Sequence, residues 1–292
     1  MTKRKASNPI KAVKDKSGAR KKGGSKSKNW LFTFKGYALM ALVLIFLLFA
    51  FPFTRNASFN AIDQCLVWMG LGDKFQFNSA EIKLPRKFKV HGIDVSHHNG
   101  KIAWDEVEKI ELRGSEPLSF VFIKATEGKD HLDTRYIYNW REAKETMLLR
   151  GAYHYYHPTV DPLKQARWFI RNVHLEEGDL PPVIDVEVRG KDPLPLYRNN
   201  VLAMAKALQA EYGVKPIIYT SHDYFNNYFD TKEFKGYKFW IARYDFHQKV
   251  ENESSWYFWQ HSEKGRVSGI RGKVDYNVFR GSLRELSRLC VQ

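Results

Sequence analysis

The sequence predicts an α/β fold, an irregular closed barrel of the (β/α)5β3 type, preceded by a separate N-terminal segment. Three observations lead there. From residue 90 onward, short apolar runs alternate with stretches of helical spacing. The last three runs follow one another too closely for full helices to lie between them. Acidic residues recur at the ends of the runs, where parallel α/β folds keep their sites. An open doubly wound sheet is the alternative architecture. No GxGxxG or GxxxxGK[ST] pattern follows any run, so nucleotide binding has no support.

In chain order, residues 1–29 read as a basic, disordered cytoplasmic arm rich in Lys, Ser and Gly. Residues 30–53 read as a transmembrane helix: Tyr37 to Phe53 is a run of about 17 uncharged residues, with aromatics at both ends. A cleaved signal peptide is the rival reading. The long basic leader, and Phe51-Pro52-Phe53 where a small-residue cleavage site would stand, argue for an uncleaved anchor. The positive-inside rule then puts the arm in the cytoplasm and the rest outside. Residues 54–88 read as a linker with a short amphipathic helix near 62–70, and residues 89–292 as the folded domain.

Within that domain, strands are expected at 90–95, 120–125, 152–156, 182–188 and 217–220, then at 239–244, 256–260 and 274–279. Helices are expected through Trp104–Leu112, Tyr136–Met147, Ala166–Val173, Leu202–Tyr212 and Tyr224–Phe229, with a closing one over Ser282–Cys290.

The total charge of +15 suggests a nucleic-acid or acidic partner until it is located. Residues 1–35 hold 12 Lys or Arg against one acid, Asp15, leaving 35 basic and 31 acidic side chains elsewhere. The basicity belongs to the arm, so a nucleic-acid-binding body is not required. Two cysteines, Cys65 and Cys290, exclude a disulfide scaffold, and whether they pair is left open. Aromatic content of 15% suits either a large core or a cleft that stacks sugar faces.

The chemistry-bearing residues lie at strand ends. Asp94 closes the first strand, Glu127 the second, and Tyr153 and Tyr155 the third. The fourth carries Asp185 and Glu187, which alternation would place on one face, roughly 6.6 to 6.8 Å apart. Trp240, Tyr244 and Gln260 belong to the late strands, and Asp275 to the last. Two like charges in a concave site raise one pKa, which keeps a carboxylic acid protonated for general-acid work. Converging carboxylates either bind a metal or hydrolyse a glycosidic bond. His97, His98, His154 and His157, with Asp94, make a metal-dependent deacetylase conceivable, but no HExxH or comparable spacing is present. Carboxylates walled by aromatics suit a sugar chain better.

The segments GIDVSHHNG, FVFIKATEG, GAYHYYHP, PPVIDVEV, IIYT, FWIARY, FWQ and VDYNVF, in this order, resemble glycoside hydrolase family 25, the Chalaropsis-type lysozymes. The resemblance covers roughly residues 90–280. It implies an irregular barrel, no cofactor, and cleavage of the bond between N-acetylmuramic acid and N-acetylglucosamine in peptidoglycan. Matched position by position, Glu187 is the proton donor, and Asp185, Asp94 and Asp275 are acids of the cleft. Glu127, Tyr153, Tyr155, Trp240, Tyr244 and Gln260 are implied to be substrate-binding. One position departs from the family's pattern: His131 stands two residues before Asp133, where an aromatic or Leu is usual. A non-catalytic peptidoglycan-binding module is the other alternative, although such a relative would be expected to lack one acid of the D-x-E pair.

Overall fold

The computed structural model describes residues 75–77, 83–85, 87–112, 116–244 and 256–292. The basic arm, the expected membrane span and the helix expected near 62–70 lie outside the described residues. So does Cys65, and with it the question of a bridge to Cys290. Among the described residues, no helix is long and apolar enough to cross a membrane.

Eight strands close a barrel. They are β1 (Val90–Val95), β2 (Glu116–Glu127), β3 (Leu149–Tyr155), β4 (Val183–Asp185), β5 (Ile217–Ser221), β6 (Lys238–Ala242), β7 (Trp256–Gly265) and β8 (Val274–Phe279). Each of the first six pairs in parallel with the next. β8 runs antiparallel to β7 and to β1, and those two ladders close the ring. The closed order excludes the open doubly wound sheet. Helices α1 (Trp104–Val107), α2 (Tyr136–Lys144), α3 (Pro162–Asn172), α4 (Leu194–Tyr212) and α5 (His222–Tyr224, running on into a turn at Phe225–Phe229) follow the first five strands. α6 (Leu283–Ser287) closes the chain.

Several boundaries move. The helix expected to Leu112 stops at Val107, and Glu111–Leu112 turns back as a short strand against β2. α2, expected to Met147, stops at Lys144, and the next strand begins at Leu149. The closing helix is five residues long, with Ser282 and Glu285 forming a reciprocal capping box. Part of the expected linker pairs as an antiparallel ribbon, Phe75–Phe77 against Lys83–Pro85. The fourth strand is the shortest of the eight and ends at Asp185, two residues before Glu187.

Alternation along the strands separates two cores. Ile93, Val95, Val121, Ile123, Ile184, Ile218, Ile241 and Val278 face outward onto the helices. Val90, Phe120, Phe122, Val183, Ile217, Trp240, Phe258 and Phe279 fill the barrel. Phe122 stacks on Trp240 with ring centroids 4.5 Å apart, and Phe258 packs edge-on to Phe120 and Phe122 at 5.3 and 5.2 Å. Glycine makes room for this layer: a Cβ on Gly92 would sit 2.5 Å from the Phe120 ring, and one on Gly151 2.7 Å from Phe122. The same inward period, continued past the aromatic layer, carries Asp94, Asp185, Tyr219, Gln260, Asn277 and Asp275 to one rim.

Candidate active site

The rim has two electrostatic halves. In the first, β1 and β8 bring Asp94 and Asp275 opposite each other in register. β8 runs the other way, so an acid near its start meets an acid near the end of β1. Asp94 is buried, 8% exposed, and its Oδ2 accepts from Gln260 Nε2 at 2.9 Å and Asn277 Nδ2 at 2.7 Å. Gln260 Oε1 in turn accepts from the hydroxyls of Tyr219 at 2.9 Å and Tyr244 at 2.7 Å. Asn277 Oδ1 accepts from the indole of Trp240 at 2.8 Å. Two side-chain amides thus relay the orientation of three aromatic rings to one carboxylate oxygen. Burial, then the charge of Asp275, holds the Asp94 carboxyl well above the usual carboxylate range. Asp275 is raised as well, chiefly by burial, with Glu263 and Glu187 adding to it.

Asp185 is 6% exposed at the end of β4, between Tyr155 on β3 and Tyr219 on β5. Burial first, then the neighbouring Glu187, raises its pKa well above the usual range. Its Oδ1 is enclosed and has no hydrogen-bonding partner in the protein. Glu187 lies beyond the strand and is exposed. The backbone still follows the sheet to Val186, whose N–H reaches Tyr219 O and whose carbonyl accepts from Thr220 Oγ1 at 2.7 Å. Two corrections follow. Glu187 does not share a strand with Asp185, and of the two side chains Asp185 is buried while Glu187 is exposed. The carboxylate of Glu187 opens onto a cleft of about 640 Å³ whose walls include Tyr219, His222, Arg243 and Tyr244.

The other half of the rim is ionically paired. Glu127, at the end of β2, accepts from Lys124 Nζ at 2.7 Å and lies 3.0 Å from His157 Nε2. Its burial works against the charge, but Lys124 and His157 prevail and hold its pKa down to about 2. Tyr155, next to Glu127 in register, is half-buried with the Lys124 ammonium 5.1 Å from its ring centre.

Of the residues expected to contact substrate, Tyr244 is exposed, and Tyr155 and Tyr153 are half-buried, Tyr153 edge-on to Trp240. Trp240 and Gln260, each 2% exposed, lie beneath the cleft surface and act on it through Asn277 and Asp94. That corrects their expected direct contact: the inward layer at this depth is filled by the carboxylates above them. Tyr153 and Tyr219 are raised by burial and by the surrounding acids, so both remain neutral hydroxyls. Tyr219 and Asn277 were not singled out in the sequence, although both fall on the inward period of their strands, two residues from a rim position.

Three of the histidines weighed as metal ligands, His97, His154 and His157, are engaged by other side chains. His97 Nδ1 and its backbone N–H both meet Asp133 Oδ2, at 2.7 and 3.0 Å. His154 is buried between Thr126 Oγ1 at 2.7 Å and Gln165 Oε1 at 3.1 Å, and burial lowers its pKa to about 4. Gln165 also fastens the loop after β3, accepting from His157 N–H and donating to His157 O and Val160 O. Among the described residues, no group of three or more His, Cys, Asp and Glu is placed to hold a metal ion.

Comparison with known proteins matches residues 93–270 to the profile of glycosyl hydrolases family 25. An uncharacterised Escherichia coli protein, YegX, is 41% identical over 209 residues, covering 71% of this chain and 76% of that one. Lysozyme M1 of Streptomyces globisporus is 32% identical over 68% of this chain and 71% of its own. Among solved structures, a family 25 glycosyl hydrolase from Bacillus anthracis superposes with a TM-score of 0.62 at 31% identity, over 74% of this chain and 99% of that chain. The bacterial lysozyme of Streptomyces coelicolor gives 0.59 at 30%, over 69% and 96%.

Proposed function

The chain belongs to glycosyl hydrolase family 25 and is a glycoside hydrolase, and from that premise we propose that it is a muramidase acting on peptidoglycan glycan strands. The bond cleaved is the β-1,4 linkage from N-acetylmuramic acid to N-acetylglucosamine, as the family resemblance implies, and two relatives carry the name lysozyme. The observation that carries this reading is the gathering of Asp94, Asp185, Glu187 and Asp275 within electrostatic reach of one another at one rim, beside a cleft that Glu187, Tyr219 and Tyr244 line.

Glu187, open to the cleft, is the general acid that protonates the departing oxygen. Asp185 serves the sugar being attacked. Its enclosed Oδ1 is an acceptor with no protein donor, and an N-acetyl N–H of the substrate supplies one. Holding that amide in place lets its carbonyl oxygen attack the anomeric carbon, with overall retention. Burial disfavours an ionised Asp94, and a protonated carboxyl is a poor nucleophile. Asp94 and Asp275 then act by electrostatics and by hydrogen bonding. Tyr153, Tyr155 and Tyr244 supply ring faces and hydroxyl donors to the glycan.

The same reading gives residues 30–53 the role of an uncleaved anchor in the bacterial cytoplasmic membrane, with residues 1–29 inside and the barrel outside. Protease added to either side of sealed vesicles tests it: outside addition should remove the barrel and spare the arm.

The test of the chemistry is hydrolysis of purified peptidoglycan by Glu187→Gln. The exposed site tolerates the amide, so the variant should fold with an unchanged circular dichroism spectrum and lose about 10²- to 10⁴-fold in rate. Wild-type activity in that variant would refute the assignment.

A further inference from the structure

One face of α3 carries Lys164, Arg167, Trp168 and Arg171, spaced i, i+3, i+4 and i+7, while Gln165, Ala166 and Phe169 bury the opposite face. The three cations are exposed. Beside them stands Lys129, in the turn of a hairpin that joins the end of β2 to His131–Leu132. Trp168 fastens the two together, its indole N–H donating to His131 O at 2.9 Å. These residues line one concavity of about 190 Å³.

Among the described residues, none of the four cations has a carboxylate within ion-pair distance. Asp161, the acid at the start of α3, accepts from the N–H groups of Leu163 and Lys164 and lies within electrostatic reach of Lys164 and Arg167 without forming an ion pair with either. Elsewhere on the surface, exposed lysines such as Lys89 and Lys144 do find carboxylates, at 2.7 and 2.6 Å. Four cations held around a fixed indole, with no carboxylate in ion-pair contact and only Asp161 offsetting part of the charge of Lys164 and Arg167, raise the local positive potential and favour an anion.

Position identifies the anion. Lys129 is two residues beyond Glu127, so its Cα lies within about 7 Å of that rim residue along the chain. The Gly128 N–H bonds to Tyr155 O, which ties the turn to the end of β3. A glycan strand crossing the rim therefore passes beside the cations, and the groups that project from it there are its peptide stems, which carry free carboxylates. We propose that Lys129, Lys164, Arg167 and Arg171, with Trp168, form a subsite for the carboxylates of the peptide stems, so that the enzyme prefers stem-bearing strands to bare glycan. The inference rests on the muramidase reading above.

The test compares wild type with Arg167→Gln/Arg171→Gln, whose side chains are exposed and do not line the cleft beside Glu187. Two substrates are used: purified peptidoglycan, and the same strands stripped of peptide by an amidase. Co-sedimentation with each polymer is measured alongside hydrolysis. On stem-bearing strands the variant should show a KM raised about 5- to 10-fold with kcat unchanged, and weaker co-sedimentation. On stripped strands it should match wild type. Salt at 0.5 M should bring wild type down to the variant on the first substrate only. Equal behaviour of the two proteins on both substrates, or an equal loss on both, would overturn the proposal. So would a variant defect confined to binding phosphatidylglycerol vesicles, which would assign the patch to lipid. If wild type cleaves neither polymer, the muramidase reading fails, and stem-dependent co-sedimentation still decides the subsite.

Discussion

Glu127 and Asp185 end strands on the same rim, with Tyr155 of β3 between them, yet their protons are held in opposite ways. Glu127 has a lysine and a histidine within hydrogen-bonding reach and stays ionised down to about pH 2. Asp185 has neither; it is enclosed, faces another carboxylate, and holds its proton well above the ordinary range. Position at a strand end is therefore not enough to make an acid chemically useful. The barrel supplies the place, and the neighbours decide whether the group is a fixed charge or an exchangeable proton.

The largest effect expected from breaking this contrast is at Asp185. Asp185→Asn should cost about 10²- to 10³-fold in kcat on purified peptidoglycan, because the amide cannot hold the substrate's N-acetyl N–H in the same way. A loss smaller than tenfold would remove Asp185 from the reacting group. Next comes the relay beneath the cleft. Gln260→Ala removes the donor to Asp94 and frees the hydroxyls of Tyr219 and Tyr244, for an expected loss of about 10- to 100-fold. Gln260 favours the ionised form of Asp94, so its removal should also move any pH-rate limb set by the Asp94–Asp275 pair to higher pH. An unmoved profile would make Gln260 merely structural.

Glu127→Gln should cost less than about tenfold, through KM, with no change in the pH-rate profile, since Glu127 is ionised throughout the working range. Its signature is in stability. A carboxylate with a lowered folded pKa stabilises above its unfolded pKa, about 4.3, and that contribution fades as pH falls towards about 2. Wild type should thus melt above Glu127→Gln at pH 7 and together with it near pH 2. The smallest effect has the opposite sign. Asp185 has a raised folded pKa, so its ionisation costs the fold stability above pH 4, and Asp185→Asn should gain on the order of 1 kcal/mol at pH 7, a gap that closes in acid. A less stable Asp185→Asn at neutral pH would count against the burial argument.

The contrast also shows what a sequence discloses. The barrel was legible because eight apolar runs and their spacing follow from the backbone's two periods, and crowding among the last three announces a region without helices. Strand ends were legible to within a few residues. Lys124 lies in a segment read as a strand end and His157 just beyond another, but their capture of Glu127 depends on a cross-strand register and a loop fastened by Gln165. The reversal of β8, which sets Asp275 against Asp94, is likewise a tertiary fact. Pattern also overreached. Alternation carried β4 on to Glu187, but the ladder ends at Asp185, leaving one acid buried and the other open. That difference separates the proposed proton donor from its neighbour.

The central claim is tested most directly by mass analysis of the reducing ends released from purified peptidoglycan by the wild-type protein and by Glu187→Gln. The account predicts muramic acid at the new reducing ends with wild type and almost none with the variant. Glucosamine reducing ends, or an undiminished yield from Glu187→Gln, would contradict it.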